Sequence, residues 1–336
     1  MPESLNQFVS IGQNGVQLFF IISAYLTYKS YENNYNFRHN IMDWYKKKFI
    51  RIIPLFYIAV IVYTLSIGGC GWLGSEPGIT WKNLACHFLL VHGLVPHYAD
   101  SVIGVEWYVG VLSIFYIIVP ILYKYINSLE RAIAFFILTA MVNPIIMRVI
   151  INYVYEKQIS DVYIYEAYFG SFCFMNQIPV LGLGIILFYL RKINCRGQAD
   201  KTDKKLISYI TLFGAILPIK GMARNVNNIE GLSHITLFGI IFLVIILGQI
   251  AHENKLICNS VFCMLGKYSY AIYLVHYGLL YLYNYSEIHF TNPWMNCGVR
   301  YLIITIVSFI IAVPITNYIE KPAVKMLDKI LIKSEG

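Results

Sequence analysis

A compact group of basic residues precedes the second apolar run of the chain. Lys46, Lys47, Lys48 and Arg51 end a polar loop and are followed at once by Pro54 and further apolar residues. Lys48 and Arg51 are three residues apart and share one face if the segment is helical. Arginine forms bidentate hydrogen bonds with phosphate, so the group is typical of a binding site for an anion. A basic flank of a membrane helix has the same composition, and the residues alone leave both interpretations open.

His276 lies in the middle of an apolar run near the end of the chain. An ionisable group is costly to bury in such a segment, which makes His276 a candidate functional residue. A neutral histidine that bonds to a neighbouring helix explains it equally well. The same argument applies with less weight to Asn143, Asn176 and Gln177.

Composition restricts the class of protein that positions these residues. The chain has 336 residues, of which 58% are hydrophobic and 13% are charged. This indicates an all-α, polytopic membrane protein with a single membrane-embedded domain over 1–336. The net charge of +8 fits cytoplasmic loops better than nucleic-acid binding. The seven cysteines show no metal-binding spacing, so we predict neither a metal site nor a disulfide framework.

The apolar runs predict a bundle of about nine transmembrane helices, because about 20 apolar residues cross a bilayer. A shorter and mixed segment, 81–95, is predicted to be an interfacial or partly inserted helix. The nine predicted spans are 12–29, 49–67, 107–126, 132–151, 168–190, 206–222, 234–251, 268–284 and 299–319.

The distribution of Lys and Arg predicts the orientation. Most of the 26 basic residues fall in alternate connections and in the tail after 320. The positive-inside rule assigns these parts to the cytoplasm, including the C-terminus. Nine spans would then leave Met1 outside, although nothing in the first residues drives that. We therefore expect a further helix upstream of Met1.

Four segments, in order along nearly the whole chain, resemble the acyltransferase-3 family of integral-membrane O-acyltransferases. The first resembles the family's G-V-x-L-F-F-x-x-S-G-F segment, and the second its R-x-x-R-I-x-P segment. The third resembles W-x-x-x-x-x-x-x-F-Y-x-x-x-P, and the last combines S-Y-x-x-Y-L-x-H with E-K/R-P. In this chain they read NGVQLFFIISAYLTY (14–28), KFIRIIPLFY (48–57), WYVGVLSIFYIIVP (107–120), and YSYAIYLVHYGLL (268–280) with YIEKP (318–322).

The resemblance implies an enzyme that moves an acyl group, commonly acetyl, from acyl-CoA to a hydroxyl of a surface or lipid-linked glycan. It implies about ten helices around a cavity, with acyl-CoA as co-substrate and no bound cofactor. The expected partners are acyl-CoA, the glycan acceptor and the bilayer, and the expected location is the bacterial plasma membrane. Nucleic acid is not expected as a partner.

The resemblance also implies roles for individual residues. Lys48 and Arg51 match the family's paired arginines and are expected to contact CoA, although Lys48 keeps only the charge. Cavity or substrate contacts are expected from residues in the first and third segments: Ser23, Tyr25, Trp107 and Tyr116. A serine in a span also commonly bonds its own helix or a neighbouring one.

Glu106 precedes the third segment and follows His87, His92 and His97. These histidines are five residues apart and do not share one helical face, which argues against a metal site. A carboxylate beside them can orient a sugar hydroxyl, and Glu106 is included among the substrate candidates. A water-exposed interfacial glutamate is the alternative.

Two departures from the family pattern leave the function open. The family's general base is a histidine upstream of the first segment, but no histidine precedes His39 here. His276 is then the catalytic candidate in this chain, since a neutral-pKa imidazole suits a base. Leu112 stands where many members have glutamate. The alternatives are a truncated or non-catalytic member, and a membrane carrier or flippase, although no internal repeat is evident.

Overall fold

The computed structural model of the chain describes residues 12–36, 40–68, 79–194, 233–284 and 290–332, together with Leu5, Val9 and Thr211. Helices make up 84% of the structure, and no strand occurs among the described residues. The all-α prediction is therefore confirmed. The helices with described bounds are α1 (Val16–Asn36), α2 (Ile41–Ile67), α3 (Trp81–Phe88), α4 (Trp107–Tyr125), α5 (Leu129–Glu156), α6 (Val162–Ala167), α7 (Phe174–Asn194), α8 (His234–Ala251), α9 (Ser260–Lys267), α10 (Ser269–Tyr283), α11 (Pro293–Pro314) and α12 (Lys321–Ile332).

The described residues contain six helical segments that are long and apolar enough to cross a membrane. The protein is thus a multi-pass membrane protein, but the count of nine spans is not confirmed. α1 is long enough, yet its second half carries the charged residues Lys29 and Glu32. α10 has only 15 residues, and the predicted span 206–222 lies outside the described residues. The six segments are Ile41–Ser66, Trp107–Tyr125, Leu129–Glu156, Val162–Lys192, His234–Ala251 and Pro293–Ile330.

α1 packs against α2, α4, α7 and α8. Its closest approach is to α7, at Gly184. A Cβ atom added at Gly184 would lie 2.5 Å from the carbonyl oxygen of Ile21 and 2.6 Å from Cβ of Ala24. Small residues at such a crossing let two membrane helices pack backbone against backbone. The neighbouring side of α1, which carries Phe20 and Thr27, therefore faces α4 at a fixed distance from α7.

The segment between α2 and α4 folds back into the bundle. Thr80 caps α3 by accepting a hydrogen bond from the Asn83 N–H at 3.3 Å. The chain then turns sharply at Leu90, which has a positive φ of 58°. His87 and His92, on either side of this turn, are fully buried and stack on Phe56 of α2. The segment predicted over 81–95 is thus a short helix followed by an inserted, irregular turn.

The helix that was predicted over 168–190 is interrupted. Residues Tyr168–Phe172 form a π-helical turn, and Cys173 is extended. The break, together with Pro179, which has no N–H to bond the Met175 carbonyl, frees backbone carbonyls that buried side-chain amides bind instead. Asn176 donates to Gly170, Gln177 donates to Ser171 at 2.6 Å, and Asn143 of α5 donates to Met175. These three amides, candidates for function in the sequence, therefore satisfy the broken backbone, as membrane-embedded structure requires.

Candidate active site

The basic group of α2 contains a half-buried lysine and an exposed arginine. The Lys48 ammonium lies 5.5 Å from the ring centre of Trp44 and 5.6 Å from that of Tyr116. Cation–π attraction therefore holds Lys48 against the bundle. Arg51, one turn further along, is exposed and makes no hydrogen bond or ion pair with any described residue. Its planar, exposed guanidinium can therefore turn to an anionic ligand.

Arg51 marks the meeting point of segments that are far apart in the sequence. Tyr116 of α4 hydrogen-bonds with Thr27 of α1 and lies within electrostatic range of Arg51. Glu320, from the YIEKP segment, also lies within electrostatic range of Arg51. The packing of α12 against α2 brings this carboxylate there. Residues from all four segments that carry the family resemblance therefore meet at the basic end. They are Thr27 from the first segment, Arg51 from the second, Tyr116 from the third and Glu320 from the last.

Ser23 of α1 bonds across to α4. Its Oγ lies 2.9 Å from the phenol oxygen of Tyr108. The ring of Tyr108 packs on Phe20, with the ring centres 4.7 Å apart, and on Tyr273 of α10, with the centres 5.4 Å apart. The serine hydroxyl is therefore oriented by a neighbouring helix, at a point where three helices meet.

α10 contributes two tyrosines from one face. The Tyr270 hydroxyl donates to the carbonyl of Ile52 at 3.0 Å, and the Tyr273 hydroxyl donates to the carbonyl of Val105. Residues three apart lie on the same side of a helix. Tyr270 also lies within electrostatic range of Tyr108 and Tyr116 of α4. The face of α10 thus connects the basic end of the bundle with the Ser23–Tyr108 pair.

These contacts form one line of polar side chains between α1, α2, α4 and α10. We call this line the polar tract. It begins at the exposed guanidinium of Arg51 and ends where Tyr273 meets the inserted segment before α4. Its members are Arg51, Tyr116, Thr27, Tyr270, Ser23, Tyr108 and Tyr273.

His276 lies one turn beyond the tract on α10 and is half-buried. Its Nδ1 lies 2.7 Å from the carbonyl oxygen of Tyr273, and the rings of the two residues are 5.7 Å apart. A carbonyl only accepts, so in this geometry Nδ1 carries the proton of the neutral imidazole. Nε2 is then the nitrogen with a lone pair. His276 bonds to its own helix, and the tautomer leaves Nε2 able to accept a proton.

The other cavity residues expected from the sequence lie differently. Trp107 is buried in an aromatic cluster, 5.7 Å from the ring of Phe20 and 5.1 Å from that of Phe172. It therefore packs beside the tract. Tyr25 is two residues after Ser23, about 200° further round α1. Ser23, Tyr116 and Arg51 are brought together by the tract, whereas Tyr25 lies on the other side of α1.

Sequence reasoning did not select Tyr108, Tyr270 or Tyr273. All three lie inside segments that carry the family resemblance. The spacing of Tyr270, Tyr273 and His276 by three residues was a usable signal, because it puts them on one side of a helix. Tyr108 had no such pattern, since its position depends on where α4 begins.

Glu106 is fully buried, so the expectation of a water-exposed interfacial glutamate is wrong. Its carboxylate accepts four consecutive backbone N–H groups, those of residues 102–105, over 2.5–3.1 Å. His87 Nε2 lies 3.4 Å from Oε1 of the same carboxylate. The irregular backbone of the inserted segment is thus wrapped round one negative charge. This arrangement positions the Val105 carbonyl, which accepts the hydrogen bond from Tyr273. Glu106 therefore supports the tract without being a member of it.

Glu106, His87 and His92 form a buried cluster, and burial and hydrogen bonding have opposite effects on the pKa of its carboxyl group. Burial raises the pKa of the Glu106 carboxyl, but the hydrogen bond from His87 and those from the backbone outweigh it, and the pKa lies below its ordinary value. Burial, together with the charge of His87, lowers the pKa of His92. His92 stacks on His87 with ring centres 4.4 Å apart. The cluster therefore favours an ionised Glu106 beside a neutral His92.

The three histidines of the 87–97 segment do not converge. His87 and His92 stack inside the bundle, whereas His97 lies 3.5 Å from Asp161 at the surface. Within the described ranges, no group of three His, Cys, Asp or Glu side chains is arranged to hold a metal ion.

The sequence was compared with known families, proteins and structures. The profile of a family described as an acyltransferase domain matches residues 2–317, which is nearly the whole chain. No curated protein and no solved structure matches it. The matched range contains the first three segments quoted for the resemblance, residues 268–280 of the fourth, and every member of the polar tract; it ends just before YIEKP (318–322). The chain is a membrane protein that belongs to the acyltransferase-3 family.

Proposed function

We propose that the protein transfers an acyl group, most simply acetyl, from acyl-CoA to a hydroxyl of a cell-surface or lipid-linked glycan. The observation that carries the proposal is the polar tract. It leads from an exposed arginine to the Ser23–Tyr108 pair and to His276 in a chain of an acyltransferase family. Acyl-CoA is a polyanion, and the exposed cationic end of the tract suits its phosphates.

In this proposal Arg51 contacts the phosphates of acyl-CoA, and Lys48 adds positive charge from between its two aromatic rings. Arg51 has the greater effect because its guanidinium is exposed and can bind phosphate with two hydrogen bonds. The high proportion of Lys and Arg in alternate connections supports a cytoplasmic basic end and a cytoplasmic C-terminus in a bacterial plasma membrane.

The proposed reaction uses His276 as general base. Nε2 removes the proton of the glycan hydroxyl while the oxygen attacks the thioester carbonyl. The tetrahedral intermediate carries its negative charge on the former carbonyl oxygen, and hydroxyl groups such as those of Ser23 and Tyr108 suit that charge as hydrogen-bond donors. Collapse breaks the carbon–sulfur bond, and the departing CoA thiolate takes the proton from His276. The products are the O-acylated glycan and free CoA.

Acetylation of cell glycans tests the proposal. Membranes containing the protein receive labelled acetyl-CoA, and ester-linked acetate is measured on the extracted glycans. The proposal predicts acetyl-CoA-dependent labelling. It also predicts that Arg51→Ala raises KM for acetyl-CoA by about tenfold or more, the effect of losing a charged phosphate contact. Lys47→Ala is the matched control, since Lys47 is an exposed cation of the same helix outside the tract.

Two results would contradict the proposal. One is glycan that carries no label with the intact protein. The other is movement of glycan across the membrane that is independent of acetyl-CoA, which would favour a carrier. An equal change of KM in Lys47→Ala and Arg51→Ala would show that only the general charge of the helix matters.

A further inference from the structure

A groove lies between α5 and α7, and none of the residues of the polar tract lines it. It has a volume of about 240 Å³. It lies beside the break at Cys173, where the π-helical turn precedes α7. Its charged member is Arg148. The lining residues are Pro144, Met147, Arg148 and Ile151 of α5, Phe169 and Gly170 of the π-helical turn, Asn176 of α7, and Ser233 before α8.

Arg148 has no compensating charge in the described part of the chain. Its side chain is exposed, and it forms no hydrogen bond or ion pair there. None of the described residues that line the groove is acidic. Asn176 is already engaged, because its amide donates to Gly170. The groove therefore presents one cation with free hydrogen-bond donors.

The side chain of Arg148 can reach the level of the lipid phosphates. α5 has 28 residues, so it is about 42 Å long at 1.5 Å per residue. If it is centred in the bilayer and perpendicular to it, a helix of this length extends about 6 Å beyond each face of a ~30 Å hydrocarbon core. Arg148 is eight residues before the end at Glu156, which puts its Cα about 6 Å inside the core. A guanidinium on a flexible stem reaches the headgroup level from that depth.

The surface beside the groove is suited to acyl chains. Met141, Ile145 and Val149 point outward from α5, with 60%, 64% and 62% of their surfaces exposed. They form an apolar strip that leads along α5 away from Arg148. A lipid seated there would have its phosphate on the guanidinium and its chains on this strip.

We propose that this groove is a binding site for the phosphate headgroup of an anionic membrane lipid, held by Arg148. The site lies at the end of α5 opposite Leu129, away from the basic residues that form the entrance of the polar tract. It is independent of acyl transfer, because it involves neither the tract nor His276. A bidentate contact between guanidinium and phosphate supplies both the attraction and the orientation.

Native mass spectrometry of the full chain tests this site. The purified protein is titrated with phosphatidylglycerol and, separately, with diacylglycerol, which has no phosphate. The proposal predicts that Arg148→Ala weakens retention of phosphatidylglycerol about tenfold and that diacylglycerol binds weakly to every variant. Arg148→Gln keeps a polar side chain of similar length and should show the same loss if the alanine variant does not fold.

Arg300→Ala is the matched control. Arg300 is a cation near the start of α11, but it is already engaged, since it donates to Asn284 at 2.6 Å and lies 5.3 Å over the ring of Tyr283. Its removal should leave lipid retention unchanged. Retention by Arg148→Gln equal to that of the unaltered protein would overturn the proposal, as would an equal loss in Arg300→Ala.

Discussion

The Glu106 carboxylate and the His87 imidazole lie 3.4 Å apart, and neither side chain has any exposed surface. Glu106 also accepts the four N–H groups of residues 102–105. A membrane-embedded chain must satisfy its irregular backbone internally. Here one charge does so for the whole turn that precedes α4.

Loss of the Glu106 carboxylate should therefore destabilise the protein strongly. Glu106→Ala leaves several buried N–H groups without an acceptor and removes the partner of His87. We expect a loss of about 3–5 kcal/mol in the free energy of unfolding, typical of a broken buried pair. Unfolding in detergent, followed by tryptophan fluorescence, measures it. Glu253→Ala, at an exposed carboxylate, is the control and should change little. Equal stability of the Glu106 and Glu253 variants would contradict this role.

The burial of His92, next to the Glu106–His87 pair, leads to a prediction of how the stability of the protein depends on pH. The pKa of His92 is lowered in the folded protein. Below about pH 6.5, the ordinary pKa of histidine, His92 is therefore protonated in the unfolded chain but stays neutral in the folded protein. Stability is then fully present above that pH and falls as the pH decreases, by up to about 1.4 kcal/mol per unit for this residue.

His92→Phe should reduce that slope below pH 6.5, because phenylalanine keeps the stacking but does not titrate. His97→Ala should leave the slope unchanged, since the pair formed by His97 with Asp161 is largely exposed. The free energy of unfolding is measured from pH 5 to pH 8 for all three proteins. A slope that His92→Phe does not alter would contradict the assignment of a neutral, buried His92.

Much of this architecture follows from the sequence, but the buried cluster of Glu106, His87 and His92 does not. The apolar runs and the order of four segments predict an all-α membrane protein of this family. His87 and His92 are five residues apart, which separates them on a helix. The left-handed turn at Leu90 brings them together instead, and no periodic pattern marks such a turn. The burial of Glu106 follows from that turn as well.

The polar tract was only partly predictable for a related reason. Ser23, Lys48, Arg51 and Tyr116 come from the family segments themselves. The partner of Ser23 depends on the rotation of α1 that the Gly184 contact fixes. That rotation turns Tyr25 away and Ser23 toward Tyr108, a result of packing between helices that are far apart in the sequence.

The Ser23–Tyr108 pair should affect turnover more than stability. Tyr108→Phe removes a hydroxyl from the tract and keeps the ring that packs on Phe20. If the pair stabilises charge in the transition state, kcat for glycan acetylation should fall about 100-fold, with a small change in KM for acetyl-CoA. Tyr25→Phe, on the other side of α1, is the control. Equal turnover in Tyr108→Phe and Tyr25→Phe would show that the tract does not contribute to the reaction.

Transfer of acetate by a variant at His276 tests the central proposal most directly. The measurement is the initial rate of ester formation on extracted glycan, with labelled acetyl-CoA and membranes that contain equal amounts of folded protein. We predict transfer by the unaltered chain, a rate at least about 100-fold lower for His276→Ala, and an unchanged rate for His97→Ala. Transfer that persists undiminished in His276→Ala would contradict the assignment of this histidine as the base.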